Sequence, residues 1–172
     1  NYHDRNKEGQ WQVGDEQRVY NTAWRPLINS RSHLCMDVKG ASKDNGAKVQ
    51  QYTCHSNNNQ LWRYEHDTGR LISKDSNKCI DIPGDDNNLN NDVQLQIWNC
   101  SEGSQDQRWN LDGNSFRNRA NTSKVIDGYG DSKGDKIGLW GNHGGPNQQW
   151  FWGKAKGHKA CPYHNASFDG AN

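Results

Sequence analysis

The chain has 172 residues, enough for one domain or one domain with tails, and a formal net charge of +1. That near-neutral balance, with no local Lys/Arg run, gives no electrostatic case for nucleic acid or an anionic membrane, and no apolar run is long enough to span a bilayer. Hydrophobic residues make up only 30% and mean hydropathy is −1.25, but 8 Trp and the low charge argue against disorder and for a small core of large aromatics.

Residues 1–24 carry Trp11, Tyr20 and Trp24. They are expected to pack on the domain that follows or to link it to something else. The start at Asn1, without a signal peptide, reads as a processed or excised chain. From Arg25 a pattern sets in. A short strand at Arg25-Pro26-Leu27-Ile28 leads to Cys35-Met36-Asp37-Val38, then Val49-Gln50-Gln51-Tyr52-Thr53-Cys54, then Asn59-Gln60-Leu61-Trp62, ending near Glu65. A second copy runs from about Arg70 to Leu111, through Cys79-Ile80-Asp81-Ile82, Leu95-Gln96-Ile97-Trp98-Asn99-Cys100 and Asp106-Gln107-Arg108-Trp109. A third runs from Ser115 to about Trp152, through Ile126-Asp127-Gly128, Leu139-Trp140 and Asn147-Gln148-Gln149-Trp150. Residues 153–172 form a Gly-, Lys- and His-rich tail expected to be loosely held.

Asp37 to Asp81 is 44 residues and Asp81 to Asp127 is 46, so the chain is an internal repeat in three copies. Apolar runs within each copy are short and bounded by Gly, Asn, Asp and Ser, which is strand and turn chemistry, and no window sustains helical periodicity. One unit is too small to bury a face alone, so three must pack about a shared axis. The predicted class is all-β. A period of about 40 residues fits a β-trefoil without excluding another closed β architecture.

The cysteines repeat with the pattern. Cys35 and Cys79 each directly precede the Met/Ile-Asp step, and Cys54 and Cys100 each follow an aromatic by two residues. Matched placement predicts the disulfides Cys35–Cys54 and Cys79–Cys100, hence an oxidising compartment and a secreted protein. Cys161 has no counterpart and is a candidate for a free thiol or a link to a partner chain.

Each copy also carries the parts that suit a sugar: an aromatic platform for the C–H face, and a carboxylate with amides for the hydroxyl edge. The three copies, with Asp, aromatic, Cys and Gln-x-Trp in register, resemble the subdomains of the ricin B-type lectins over residues 25–152. That resemblance implies a β-trefoil binding galactose or N-acetylgalactosamine, usually as the targeting module of a toxin or glycoside hydrolase. Carried over by position, Asp37, Asp81 and Asp127 would each clamp two hydroxyls, and Tyr52, Trp98 and Trp140 would stack on the sugar. Asn59 and Asn147 would bond a hydroxyl, Gln60, Gln107 and Gln148 would hold the aspartate, and Gln50 and Gln96 would line the pocket. His143 is a further polar contact on this reading. Trp62, Trp109 and Trp150 belong to the shared core.

Two departures stand out. Asp106 occupies the second copy's Asn position, placing two carboxylates in one pocket, so the second site is the weakest of the three on this reading. In the third copy Gly138 stands at the pocket-Gln position and the disulfide is missing.

No nucleophile elbow, zinc-protease helix, P-loop or dinucleotide fingerprint is present, so no enzyme, metal or cofactor is expected. His158-x-x-Cys161-x-x-His164 supplies three metal-type ligands without a fourth, and Asp127, Asp131 and Asp135 are too widely spaced for a calcium loop, leaving the last two as turn residues. The rival to a glycan-binding module is a trefoil that has become a protein–protein assembly subunit with degenerate sugar sites. Residues 1–24 and Cys161 would then carry the partner contact.

Overall fold

A computed structural model describes residues 23–84 and 91–154. Most of the N-terminal segment, the His158–His164 triplet and Cys161 lie outside the described residues. Trp24 is described, half-buried with the Arg63 guanidinium 4.5 Å above its ring.

The described residues form strands and single 3-10 turns, with no α-helix. The first repeat supplies β1 (Leu27–Asn29), β2 (Cys35–Val38), β3 (Val49–Tyr52) and β4 (Trp62–Tyr64). In the second, β5 (Leu71–Ser73) and β6 (Cys79–Asp81) precede a strand split at Leu95 into β7 (Val93–Gln94) and β8 (Gln96–Trp98), and β9 (Trp109–Asp112) closes the unit. The third supplies β10 (Ser115–Asn118), β11 (Lys124–Gly128), β12 (Ile137–Gly141) and β13 (Trp150–Trp152).

First and last strands of neighbouring repeats pair antiparallel: β13 with β1, β4 with β5, β9 with β10. Within each repeat a backbone contact closes the remaining gap: Arg25 with Trp62, Gly69 with Trp109 and Asn114 with Trp150. The result is a closed ring of six strands without a free edge. Gly69 shows how tight one seam is, since a Cβ there would lie 2.8 Å from the Trp109 carbonyl oxygen. The hairpins β2–β3, β6–β8 and β11–β12 cover one end and bond to one another, Val49 N–H to Leu95 O at 3.0 Å and Leu95 N–H to Ile137 O at 3.0 Å. This is the β-trefoil arrangement.

Trp62, Trp109 and Trp150 are fully buried in one core with Leu27, Leu71, Phe116 and the inward residues of the hairpins. Such aromatics supply large buried area from few residues, which reconciles a low hydrophobic content with a single core. Both predicted disulfides are present, Cys35–Cys54 and Cys79–Cys100. In the third repeat Val125 and Asn142 stand where the other repeats place their cysteines. There the β11–β12 ladder pairs five residues, against four in β2–β3 and three in β6–β8. A longer hydrogen-bonded ladder ties together the hairpin that has no bridge.

Candidate functional site: three amide-braced aspartates

Strand alternation puts the aspartates where they are. Met36, Ile80 and Ile126 are fully buried in the core, so the next residue on each strand turns to the outer face. Those residues are Asp37, Asp81 and Asp127. On the paired strand the register sets Gln50 opposite Asp37, Gln96 opposite Asp81 and Gly138 opposite Asp127. Two residues further along the same face come the aromatics Tyr52, Trp98 and Trp140. The structure therefore gathers the sequence-predicted residues into three separate clusters, one per repeat. Trp98 and Trp140, 44% and 38% exposed, are the exposed large hydrophobics among the described residues.

In the first cluster the carboxylate of Asp37, only 2% exposed, is braced by amides. Gln50 Nε2 donates to Oδ1 at 3.0 Å, and Gln60 Nε2 and Asn59 Nδ2 donate to Oδ2 at 2.9 and 3.2 Å. Asn59 also donates to Val38 O at 3.1 Å, and Gln60 Oε1 accepts the His55 N–H at 2.8 Å. Burial pushes the Asp37 carboxyl above the ordinary aspartate value, and the Gln60 and Gln50 amides pull the other way without cancelling it.

The third cluster repeats this geometry with one substitution. Gln148 Nε2 donates to Asp127 Oδ2 at 2.8 Å, Asn147 Nδ2 to Oδ1 at 3.0 Å and to Gly128 O at 3.2 Å. Burial again raises the Asp127 carboxyl. The position of the pocket glutamine is filled from elsewhere. A Cβ on Gly138 would meet the Tyr129 ring at 2.5 Å, because Tyr129 occupies that space while its hydroxyl donates to Leu139 O. The same phenol packs edge-on against Trp140, ring centroids 5.8 Å apart, and burial beside Asp127 and Asp92 keeps it neutral by raising its pKa. A carboxylate offers about four lone-pair sites. Asp127 commits two to amides and keeps two for hydroxyl donors, whereas Asp37 commits three.

The second cluster keeps the glutamines but not the asparagine. Gln96 and Gln107 donate to Asp81 at 2.7 and 3.0 Å. Asp106 has no amide donor, and its carboxylate accepts the Ser104 hydroxyl, so the brace that Asn59 and Asn147 form to the adjacent backbone carbonyl has no counterpart here. A cleft of about 950 Å³ opens over this cluster, lined by Asp81, Gln96, Trp98 and Asp106 among others.

Two residues were not singled out by sequence reasoning. His55 lies three residues after Tyr52, as His143 lies three after Trp140. In both, Nδ1 accepts a backbone N–H at 3.0 Å (from Asn57 and Gly145), which leaves Nε2 pointing at the aspartate 3.8 Å away. That shared offset was the available signal. The second is Tyr129, whose role depends on strand register and left no sequence mark. Asp131, expected as a turn residue, pairs with Arg31 at 3.0 Å, and Asp135 does act in the turn, accepting the Ser132 N–H at 2.8 Å.

Among the described residues no group of three metal-type side chains converges, and no helix is long and apolar enough to cross a membrane.

Comparison with known proteins agrees with this geometry. Residues 23–150 match the family model of the ricin-type beta-trefoil lectin domain. A segment of 91 residues, 52% of this chain, is 28% identical to Nigrin b of Sambucus nigra; it spans only 15% of that protein's length. A designed three-fold symmetric protein, ThreeFoil, superposes with a TM-score of 0.67 at 26% identity, covering 75% of this chain and 96% of that one. The C-half of the earthworm R-type lectin, solved in complex with GalNAc, superposes with a TM-score of 0.65 at 21% identity, covering 76% and 97%. The chain belongs to the ricin-type beta-trefoil lectin domain family.

Proposed function

We propose that the domain binds galactose- or N-acetylgalactosamine-type glycans at up to three separated sites, as the targeting part of a larger secreted protein such as a toxin or glycoside hydrolase. One observation carries the reading: a buried aspartate, braced by Gln148 and Asn147 with two acceptor sites to spare, beside the exposed face of Trp140. Core packing would require the buried tryptophans but not this polar set. GalNAc, the sugar held in the earthworm lectin, has the chemistry such a site fits. Two structural disulfides suit an extracellular setting. Glycoside hydrolysis employs a pair of carboxylates flanking the scissile bond, whereas Asp37 and Asp127 are each held by amides on one side of a pocket, so the arrangement suits binding rather than catalysis.

In this proposal Asp37, Asp81 and Asp127 accept sugar hydroxyls, and Tyr52, Trp98 and Trp140 stack on the C–H face. Each shallow site is weak alone, and engagement of several by one branched or clustered glycan supplies avidity. The test is a glycan array probed with the intact chain and with Asp37→Ala, Asp81→Ala and Asp127→Ala singly. Signal on terminal galactose or N-acetylgalactosamine, reduced by particular substitutions, supports the reading. A blank array from folded protein refutes it.

A further inference from the structure

The three sites differ at their rims, and the rim of each comes from the preceding repeat. The Lys39–Lys48 segment of the first repeat reaches the second site, where Asn45 Oδ1 accepts the Asn99 N–H at 2.8 Å and a Cβ on Gly46 would lie 3.8 Å from Trp98. Asn91 of the second repeat reaches the third site and accepts the Gly141 N–H at 2.8 Å. Asn45, Gly46 and Asn91 are neutral, and the cation near the third rim, Lys124, is engaged by that same Asn91 Oδ1 at 2.6 Å. At the first site the contact is a cation.

The loop between β11 and β12 is fastened onto β3. Gln51 N–H donates to Asp135 O at 2.7 Å, Gly134 N–H to Gln51 O at 2.7 Å, and Gln51 Nε2 to Gly130 O at 2.8 Å. This anchoring carries Lys133 to the face of Tyr52, its ammonium 5.4 Å from the ring centroid. The nearby carboxylates are otherwise engaged, Asp131 by Arg31 and Asp135 by the Ser132 N–H. Lys133 has no ion-pair partner among the described residues and is exposed. Its charge stands over the ring proposed to stack on the sugar.

Resting on the proposed sugar-binding reading, we infer that the first site selects galactose-type sugars carrying an anionic substituent, sulfate or carboxylate, and that Lys133 reads the charge. A neutral sugar must displace the ammonium from the Tyr52 ring and offers it nothing in return. An anionic sugar replaces that contact with a charge-assisted hydrogen bond while Asp37 still accepts its hydroxyls. Among the described residues no cation lies over Trp98 or Trp140, and the second and third sites are the neutral-sugar sites. The chain then reads two chemistries on one glycan surface.

The experiment uses the full chain carrying Asp81→Ala and Asp127→Ala, with folding checked by circular dichroism, titrated calorimetrically against methyl β-galactoside, its 3-O- and 6-O-sulfates, and methyl galacturonide. At low salt at least one anionic ligand is expected to bind about two- to fivefold more tightly than the neutral one, the ratio a solvent-exposed charge pair gives. That preference shrinks as salt is raised. Lys133→Ala in the same background brings the affinities together, and Lys133→Arg keeps them apart. The sulfate and carboxylate arms distinguish which anion the site prefers. Equal affinity for neutral and anionic ligands, or a preference that survives Lys133→Ala, overturns the inference. So does loss of all binding in the doubly substituted chain while the intact chain still binds galactosides, and in that case the lectin reading stands. Absence of binding in the intact chain to every ligand overturns the reading on which the inference rests.

Discussion

Gln60 and Trp62, two residues apart, hold the same strand from opposite sides: the Gln60 amide bonds the Asp37 carboxylate at 2.9 Å, and the Trp62 indole N–H bonds the preceding residue's carbonyl, Met36 O, at 2.9 Å. Gln148 and Trp150 do the same to Asp127 and Ile126, at 2.8 and 3.1 Å. The Gln-x-Trp step is thus a coupling between core and site. The 3-10 turn that ends at the Gln directs its amide to the pocket, the strand that begins at the Trp places the indole in the core, and the pair fixes the aspartate's backbone and side chain together.

This coupling predicts that Gln60→Ala damages both fold and site. Gln60 is fully buried, donates to Asp37 and Thr53 O, and accepts the His55 N–H, so its loss takes one partner from the buried Asp37 carboxylate and one from each of two part-buried backbone groups. The expected cost is about 2–3 kcal/mol in urea unfolding. Sugar binding at the first site should fail as well, while the third site is spared. A variant with native stability would show that the amide is dispensable.

The second repeat keeps the motif but loses half of it. Trp109 Nε1 is buried without a hydrogen-bond partner among the described residues, where Trp62 and Trp150 both have one. Trp62→Phe and Trp109→Phe remove similar volumes from equivalent places in the core. The first also removes a made bond, and should destabilise by about 1 kcal/mol more in denaturant titration. Equal costs would contradict this difference between the repeats.

Acid should silence the sites while it strengthens the fold on their account. Hydroxyl clamping requires ionised Asp37 and Asp127, and burial raises both above 3.8. Affinity therefore falls on acidification with a midpoint above that value. For stability the sign is opposite. A carboxyl whose folded pKa exceeds its unfolded one binds its proton more tightly when folded, so its stabilising contribution is complete below 3.8 and is lost as pH rises through the folded value. Calorimetric titrations between neutral pH and pH 4, with thermal melts in the same buffers, separate the two effects. Affinity holding constant down to pH 4 would contradict the raised carboxyls.

At Gly138 a methyl group has no room. It would meet the Tyr129 ring at 2.5 Å and the Val93 carbonyl oxygen at 2.6 Å. Gly138→Ala is expected to destabilise by about 1–3 kcal/mol through overpacking, measured by thermal or denaturant unfolding. Supplying the glutamine of the other repeats, Gly138→Gln, should not improve the third site. A stability unchanged by Gly138→Ala would mean that Tyr129 does not fill that place.

Much of this architecture was legible in the sequence because it recurs at fixed offsets. Asp37, Asp81 and Asp127, their aromatics, the Gln-x-Trp closures and the paired cysteines lie in register, and strand alternation alone turns each aspartate outward beside a buried Met36, Ile80 or Ile126. What the sequence hid depends on contacts between repeats or on strand register. Lys133 meets Tyr52 only because the loop of one repeat is fastened to a strand of another. Tyr129 takes the place of a missing glutamine only because Gly138 opposes Asp127. His55 was within reach, sharing its offset with His143, but as a single exposed-loop histidine it carried no mark of its own.

The most direct test of the central claim is an NMR titration of the full chain with N-acetylgalactosamine, following the tryptophan indole N–H signals. Binding in the proposed pockets should shift the exposed Trp98 and Trp140 and leave the buried Trp62, Trp109 and Trp150 in place. Folded protein whose indole signals do not move, or whose core tryptophans move instead, would contradict the account.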